Sequence, residues 1–91
     1  MGKLIKPDGT VTTVYPRDGK EFSLEELQGL VAGYIEHVLT RTGKHMFINE
    51  EGRLQNLQLN PIATFLYRCY SPATGNAIVG NALVCEEGET S

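Results

Sequence analysis

The chain has 91 residues, a hydrophobic content of 41% and a formal net charge of −3. This length predicts one domain with one modest core, and a disordered chain would carry fewer apolar residues and more net charge. The basic residues are scattered, which argues against binding to a nucleic-acid polymer but leaves room for a small anionic ligand. We find no signal peptide and no membrane span in the sequence.

The two cysteines, Cys69 and Cys85, lie in apolar contexts and lack a Cys-x-x-Cys spacing. We predict that both are reduced core residues of a cytosolic protein, with a disulfide or thiol catalysis as the alternatives.

The first predicted elements are a hairpin and a helix. Residues 3–15 read as a hairpin because Pro7-Asp8-Gly9 supplies turn chemistry between β-branched segments. Ser23 and Glu26 have the spacing of a capping box ahead of an apolar helical stripe, and Gly33 is a natural helix stop.

Residues 34–40 and 44–49 predict a second hairpin, for which we assume a tight turn at Thr42-Gly43. Alternation then gives one face with Ile35, His37, Leu39, Met46 and Ile48, and another with Tyr34, Glu36, Val38, Thr40, His45, Phe47 and Asn49. Because His37 and His45 fall on opposite faces in this register, no metal site is predicted.

A second helix is predicted from Asn60 as N-cap, with Pro61 at its first position, to about Tyr70. Residues 77–85 read as a central apolar strand, and residues 86–91 as an acidic, flexible tail. Residues 1–85 are therefore predicted to form a single α+β domain of order β-β-α-β-β-α-β. In it, two helices pack on one face of a small, mainly antiparallel sheet.

The segment 49–64 is densely polar and is the main candidate for a binding site. Arg53, together with the start of the second helix or Arg68, could hold a phosphate or a carboxylate. Asn60, Thr64 and Arg68 form a polar stripe at four-residue spacing, which either faces solvent or lines a ligand cleft or subunit contact. Asn60 is also the expected helix cap, a role that competes with ligand binding.

The second hairpin supplies further candidates. Glu36 either accepts a hydrogen bond from a ligand hydroxyl or pairs with a basic side chain. Four aromatic residues either stack on a base or form core or oligomer contacts: Tyr34, Phe47, Tyr67 and Tyr70. Glu50 and Glu51 point apart in an extended segment, so turn positions are favoured over an acid–base pair.

Five segments carry a resemblance to a known family, in order and over nearly the whole chain. They are residues 6–9, 31–36, 49–52, 59–64 and 78–84. The chain resembles a family of small proteins of unknown function encoded by phages, prophages and plasmids of bacteria, although Ala32 stands where a second glycine is expected. The resemblance implies a small accessory protein of a mobile element that acts in the host bacterial cytoplasm.

Our leading hypothesis is a non-enzymatic, homo-oligomeric phage protein that sequesters a small nucleotide-like signalling molecule of host defence. It requires no cofactor and no metal. Its candidate ligand-binding residues are Tyr34, Glu36, Phe47, Asn49, Arg53, Asn60, Thr64 and Arg68. The alternative is an interaction module that docks on a host protein and inhibits it. A hydrolase that uses Glu36 and a histidine is a third hypothesis.

Overall fold

The computed structural model describes residues 1–85, within which the chain forms five strands and two helices. In chain order these are β1 (Gly2–Ile5), β2 (Val11–Val14), α1 (Leu24–Val31), β3 (Ile35–Leu39), β4 (His45–Asn49), α2 (Pro61–Leu66) and β5 (Ala82–Cys85). The strands form one sheet in the order β2-β1-β5-β4-β3, and all neighbouring pairs are antiparallel. The α+β class is therefore confirmed, and the predicted tail at 86–91 lies outside the described residues.

The helices pack on opposite faces of the sheet, so the prediction that both pack on one face is wrong. Leu27 of α1 belongs to a buried cluster that includes Phe47 and Leu83. Ala63 of α2 belongs to a second cluster with Met46 and Ile48 of β4. Because successive strand residues point to opposite faces, β4 contributes to both clusters. The sheet is thus the middle layer between two small cores.

The first hairpin and the start of α1 match the sequence prediction. Asp8 Oδ1 accepts a hydrogen bond from the backbone N–H of Thr10 at 2.8 Å and closes the turn, at which Gly9 has a φ of 91°. Ser23 is the N-cap of α1, and it forms the complete capping box with Glu26. Local sequence alone specifies both features, because their hydrogen bonds join residues only a few positions apart.

The second hairpin forms, but its register differs by one residue from the prediction. Thr40 N–H donates to Lys44 O at 2.9 Å, and Gly43 takes a φ of 90°, so the loop has one residue more than a tight two-residue turn. Leu39 therefore pairs with His45, and His37 pairs with Phe47. A shift of one residue reverses the face of every side chain on one strand. His37 and His45 consequently lie on the same face, contrary to the prediction.

Helix α2 begins where predicted, with Asn60 as N-cap and Pro61 in the first turn. It ends at Leu66, well before the predicted end near Tyr70, because Tyr67 has extended dihedrals and bridges to Thr40 beyond the end of β3. The backbone N–H of Arg68 donates to Leu39 O at 2.9 Å. Pairing with the edge of the sheet therefore overrides the helical propensity of this segment.

Strand β5 is central, as its apolar sequence predicts, but it covers only the last residues of the predicted strand. Gly80 has a φ of 77° just before it, and a Cβ there would lie 2.7 Å from Leu57 Cδ1. Cys85 is buried and Cys69 is exposed, and neither forms a disulfide. The prediction of two core cysteines is therefore wrong for Cys69. No helix within residues 1–85 has the length and apolar character needed to cross a membrane.

Candidate functional site

A surface cavity of about 240 Å³ opens where β3, β4 and the two loops on either side of α2 meet. Strand β3 contributes Glu36 and β4 contributes Ile48, while Arg53 comes from the turn that follows β4. Tyr67 enters from the segment after α2 because the helix ends early. The wall is completed by Asn49, Glu50, Gly52, Leu54, Asn76, Ala77, Ile78 and Val79. The cavity therefore combines opposite charges and a phenol with aliphatic walls.

Two of the charged residues that line the cavity, Glu36 and Arg53, influence the ionisation of Tyr67. The pKa of the Tyr67 phenol is raised, first by burial and then by the nearby Cys69 and Glu36, while Arg53 acts in the opposite direction. Within residues 1–85, the Glu36 carboxylate forms no hydrogen bond and no ion pair. The cavity thus offers carboxylates, a phenol hydroxyl and a guanidinium.

Arg53 is held in place by the loop that forms the far wall of the cavity. Its Nη2 donates to the carbonyl oxygens of Gly75 at 2.9 Å and of Ala77 at 3.1 Å. Nε and Nη1 carry further N–H donors, which suit an anionic oxygen. Asn76 fixes the same loop, since its Nδ2 donates to Cys69 O at 2.6 Å and its Oδ1 accepts from the N–H of Ser71 at 3.1 Å.

Asn49 borders the cavity, but its side chain has a structural role. Its Nδ2 donates to the carbonyl oxygens of Val31 at 3.2 Å and Ala32 at 3.3 Å, at the end of α1. Its Oδ1 accepts from the N–H of Glu51 at 2.8 Å. A Cβ at Gly33 would lie 2.7 Å from Asn49 Nδ2, so this contact requires a glycine. Gly33 was predicted to end α1, but the residue with left-handed dihedrals at the end of this helix is Ala32, with a φ of 63°.

Two more of the predicted ligand residues are buried away from the cavity. Asn60 Nδ2 donates to Ile5 O at 2.9 Å and to Gly80 O at 2.8 Å, and its Oδ1 caps α2 through the N–H of Ala63. Thr64 Oγ1 accepts from Ile78 N–H at 2.9 Å and donates to Ile78 O at 3.2 Å. The two residues therefore join α2 to neighbouring chain segments, and they do not face solvent.

The remaining predicted residues also lie outside the cavity. Tyr34 is 64% exposed and precedes β3, whereas Phe47 is buried in the core beneath α1. Arg68 lies beyond the end of α2, and its Nη2 is 3.5 Å from the position a Cβ would take at Gly43. The structure thus brings Glu36, Asn49 and Arg53 together and separates them from the other five.

A second, more open cavity of about 540 Å³ lies between β2 and α1. Its titratable residues include Arg17, Glu25 and Glu26. Glu26 is already engaged, since its carboxylate accepts from the backbone N–H groups of Ser23 and Arg17. We assign the site to the smaller cavity, because it contains three of the predicted ligand residues, Glu36, Asn49 and Arg53, and the second cavity contains none of them.

Tyr67 was considered for base stacking but was not among the eight predicted ligand residues. A helix continued to Tyr70 would have put Tyr67 among apolar helical positions, and the bridge to Thr40 instead brings it beside Glu36. No local signal marks this bridge, because its two residues are far apart in the sequence. The sequence analysis treated three other lining residues, Ile48, Ile78 and Val79, only as strand residues. The corrected register places Ile48 opposite Glu36.

One known protein family matches nearly the whole chain. The chain belongs to the family described as "Domain of unknown function (DUF3846)", whose model matches residues 4–91. No curated protein matches the chain. No solved structure matches it either.

Proposed function

We propose that the chain is a non-enzymatic binding protein that holds a small anionic, nucleotide-like molecule in the cavity formed by Glu36, Arg53 and Tyr67. The observation that carries this proposal is the convergence of a carboxylate, a guanidinium and a phenol on one cavity with aliphatic walls. Pockets of this composition use a few polar groups to orient a ligand and apolar walls to bury it.

Each polar residue has a distinct proposed role. Arg53 binds a phosphate or carboxylate of the ligand through Nε and Nη1, while Nη2 keeps its bonds to the loop at Gly75 and Ala77. Glu36 accepts hydrogen bonds from ligand hydroxyl or amino groups. The neutral Tyr67 hydroxyl donates or accepts as the ligand requires.

The size of the cavity limits how much of a ligand it encloses. Its volume of about 240 Å³ lies below the range of roughly 300–1,000 Å³ that is typical of small-molecule pockets. A base or a phosphorylated sugar fits this volume, and the rest of a nucleotide would lie at the surface. Leu54, on the cavity wall, is 82% exposed, which favours a homo-oligomer in which a second copy covers the ligand.

The biological part of the proposal rests on the resemblance of the sequence to small proteins of mobile elements. We propose a phage accessory protein that acts in the host cytoplasm and sequesters a signalling molecule of host defence. Binding alone would be sufficient for this role, because removing a signal needs no chemical step.

The test is a thermal-denaturation screen of the full chain against a panel of nucleotides and nucleoside monophosphates. The proposal expects at least one compound to raise the melting temperature of the wild type, and Arg53→Gln and Glu36→Gln to abolish that shift. Arg68→Gln is the matched control, since it removes an exposed arginine outside the cavity. A shift that survives in Arg53→Gln and Glu36→Gln would contradict the assignment of the cavity.

A second candidate function is an interaction module that inhibits a host protein. It is favoured by exposed apolar side chains on and near α2, among which Phe65 is 70% exposed. In that case a monomer with no thermal response to nucleotides would bind one host protein, and Phe65→Ser would weaken that complex.

A further inference from the structure

The corrected register of the second hairpin creates a pair of histidines that the sequence prediction had separated. His37 Nε2 lies 2.7 Å from His45 Nδ1, and the two rings are inclined by 28° with centroids 4.9 Å apart. His37 is exposed and His45 is half-buried, so solvent reaches the pair. The Phe47 ring lies on the same face, with its centroid 5.1 Å from that of His37.

The extra residue in the loop between β3 and β4 fixes this pair. Because Leu39 pairs with His45, and His37 with Phe47, the two histidines are diagonal neighbours on adjacent strands. Both therefore project from a hydrogen-bonded hairpin and not from a loop. This backbone holds two ring nitrogens in proximity before any ligand arrives, which is what a chelating site needs.

We propose that His37 Nε2 and His45 Nδ1 bind one divalent transition-metal ion of the class that prefers imidazole, such as Zn²⁺, Ni²⁺ or Cu²⁺. Bond lengths of about 2.0–2.1 Å and N–metal–N angles between a right angle and the tetrahedral value place two ligating nitrogens about 2.8–3.4 Å apart. The observed separation of 2.7 Å lies just below this range. In the hydrogen-bonded pair the N–H of one ring points at the lone pair of the other, so both side chains must also rotate until the two lone pairs converge on the ion.

The proton balance of metal binding is simple. In the metal-free pair one nitrogen carries the N–H that donates to the other. On binding, the metal accepts a lone pair from each of the two nitrogens, and the N–H of the donor ring moves to its other nitrogen by tautomer exchange through water. Both rings stay neutral, and no oxidant or reductant takes part.

The two histidines are the proposed protein ligands among the described residues. Within residues 1–85 no group of three or more histidine, cysteine, aspartate or glutamate side chains has the geometry of a metal site. Within that part of the chain the proposed ligands are the two imidazoles, and the affinity should rise from Zn²⁺ or Ni²⁺ to Cu²⁺. Glu36 precedes His37 and points to the opposite face of β3, so the metal site is separate from the cavity and does not depend on the proposed function.

The test uses the full chain in a Cys69→Ser background, which removes the exposed thiol as a competing ligand. The chain contains only two histidines, so both imidazole NMR signals can be assigned from His37→Gln and His45→Gln. Titration of Zn²⁺ should shift or broaden both signals. Calorimetry should show one ion per chain, with an affinity reduced at least about tenfold in either variant.

Glu25→Gln, an exposed carboxylate on α1, is the matched control and should leave the affinity unchanged. A metal-dependent dimer that is lost in either histidine variant would still identify the pair as the ligands. The inference is overturned if Zn²⁺ and Cu²⁺ leave both imidazole signals of the folded Cys69→Ser chain unchanged. It is also overturned if the affinity is the same in His37→Gln and His45→Gln as in the parent.

Discussion

Asn60 Nδ2 lies 2.9 Å from the carbonyl oxygen of Ile5, a residue 55 positions earlier in the chain. The same amide nitrogen donates to Gly80 O, and the amide oxygen caps α2. One buried side chain therefore joins the end of β1, the start of α2 and the approach to β5. This relationship explains why a polar residue occupies a position with no exposure to solvent.

Replacement of Asn60 should destabilise the protein strongly. Asn60→Ala removes the cap and both buried hydrogen bonds from Nδ2 to the carbonyl oxygens of Ile5 and Gly80. We therefore expect a loss of about 3 kcal/mol in the free energy of unfolding, measured with urea. Asn60→Asp keeps a capping oxygen but cannot donate, and we expect a loss at least as large. Gln58→Ala, at a nearby exposed position, is the control, and a similar small effect in all three variants would refute this role.

Ala32→Gly should stabilise the protein. Ala32 ends α1 with a φ of 63°, a left-handed conformation that glycine adopts without strain, and its side chain is exposed. Relief of strain outweighs the greater entropy of the unfolded glycine chain, for an expected net gain of roughly 0.5–1 kcal/mol. Ala73→Gly, in an exposed loop without positive φ, should give no gain in the same urea measurement. A less stable Ala32→Gly variant would contradict this reasoning.

Glu26 should make stability depend on pH in the acid range. Backbone hydrogen bonds from Ser23 and Arg17 lower the pKa of its carboxyl group in the folded protein. Because the pKa of Glu26 is lower in the folded state, its contribution to the free energy of unfolding is fully present above its pKa in the unfolded chain. It is lost as the pH falls through the folded-state value.

The measurement is urea unfolding at a series of pH values. Glu26→Gln should reduce the slope of unfolding free energy against pH below the usual glutamate range. Glu25→Gln, the neighbouring exposed carboxylate, should leave the slope close to that of the wild type. Equal slopes in the wild type and Glu26→Gln would show that the capping box does not carry this dependence.

The ionisation of Tyr67 reports on the geometry of the cavity. Burial is the main cause of the raised pKa of its phenol, Glu36 contributes to the rise and Arg53 acts in the opposite direction. Glu36→Gln should therefore lower the pKa of Tyr67, and Arg53→Gln should raise it, as followed by NMR of the tyrosine ring signals. Tyr67→Phe identifies the signal, and Glu25→Gln should not move it. Shifts in the same direction for both cavity variants would exclude the arrangement described.

The sequence was most informative where structure is decided by neighbouring residues. The turn at Asp8 and the capping box of Ser23 and Glu26 depend on hydrogen bonds over two or three positions, and both were predicted. The central place of β5 followed from its apolar composition. The loop between β3 and β4 was predicted wrongly, because Thr42-Gly43 suits a tight two-residue turn as well as the longer loop in which Gly43 lies.

The candidate site could be predicted only in part, because tertiary contacts decide which polar residues reach the cavity. Arg53 and Glu36 were identified as candidates from their chemistry, and the structure brings them to one cavity. Asn60 and Thr64 have the same chemistry, yet tertiary hydrogen bonds bury them, and no sequence pattern distinguishes the two outcomes. The contribution of Tyr67 depended on where α2 ends, which is set by its pairing with Thr40.

Native mass spectrometry of the full chain, purified from cells challenged by phage, tests the central claim most directly. The account predicts an oligomer that carries a small anionic, nucleotide-sized mass, which Arg68→Gln retains and both Arg53→Gln and Glu36→Gln lose. A bare monomer, or a bound mass that persists in Arg53→Gln and Glu36→Gln, would contradict it.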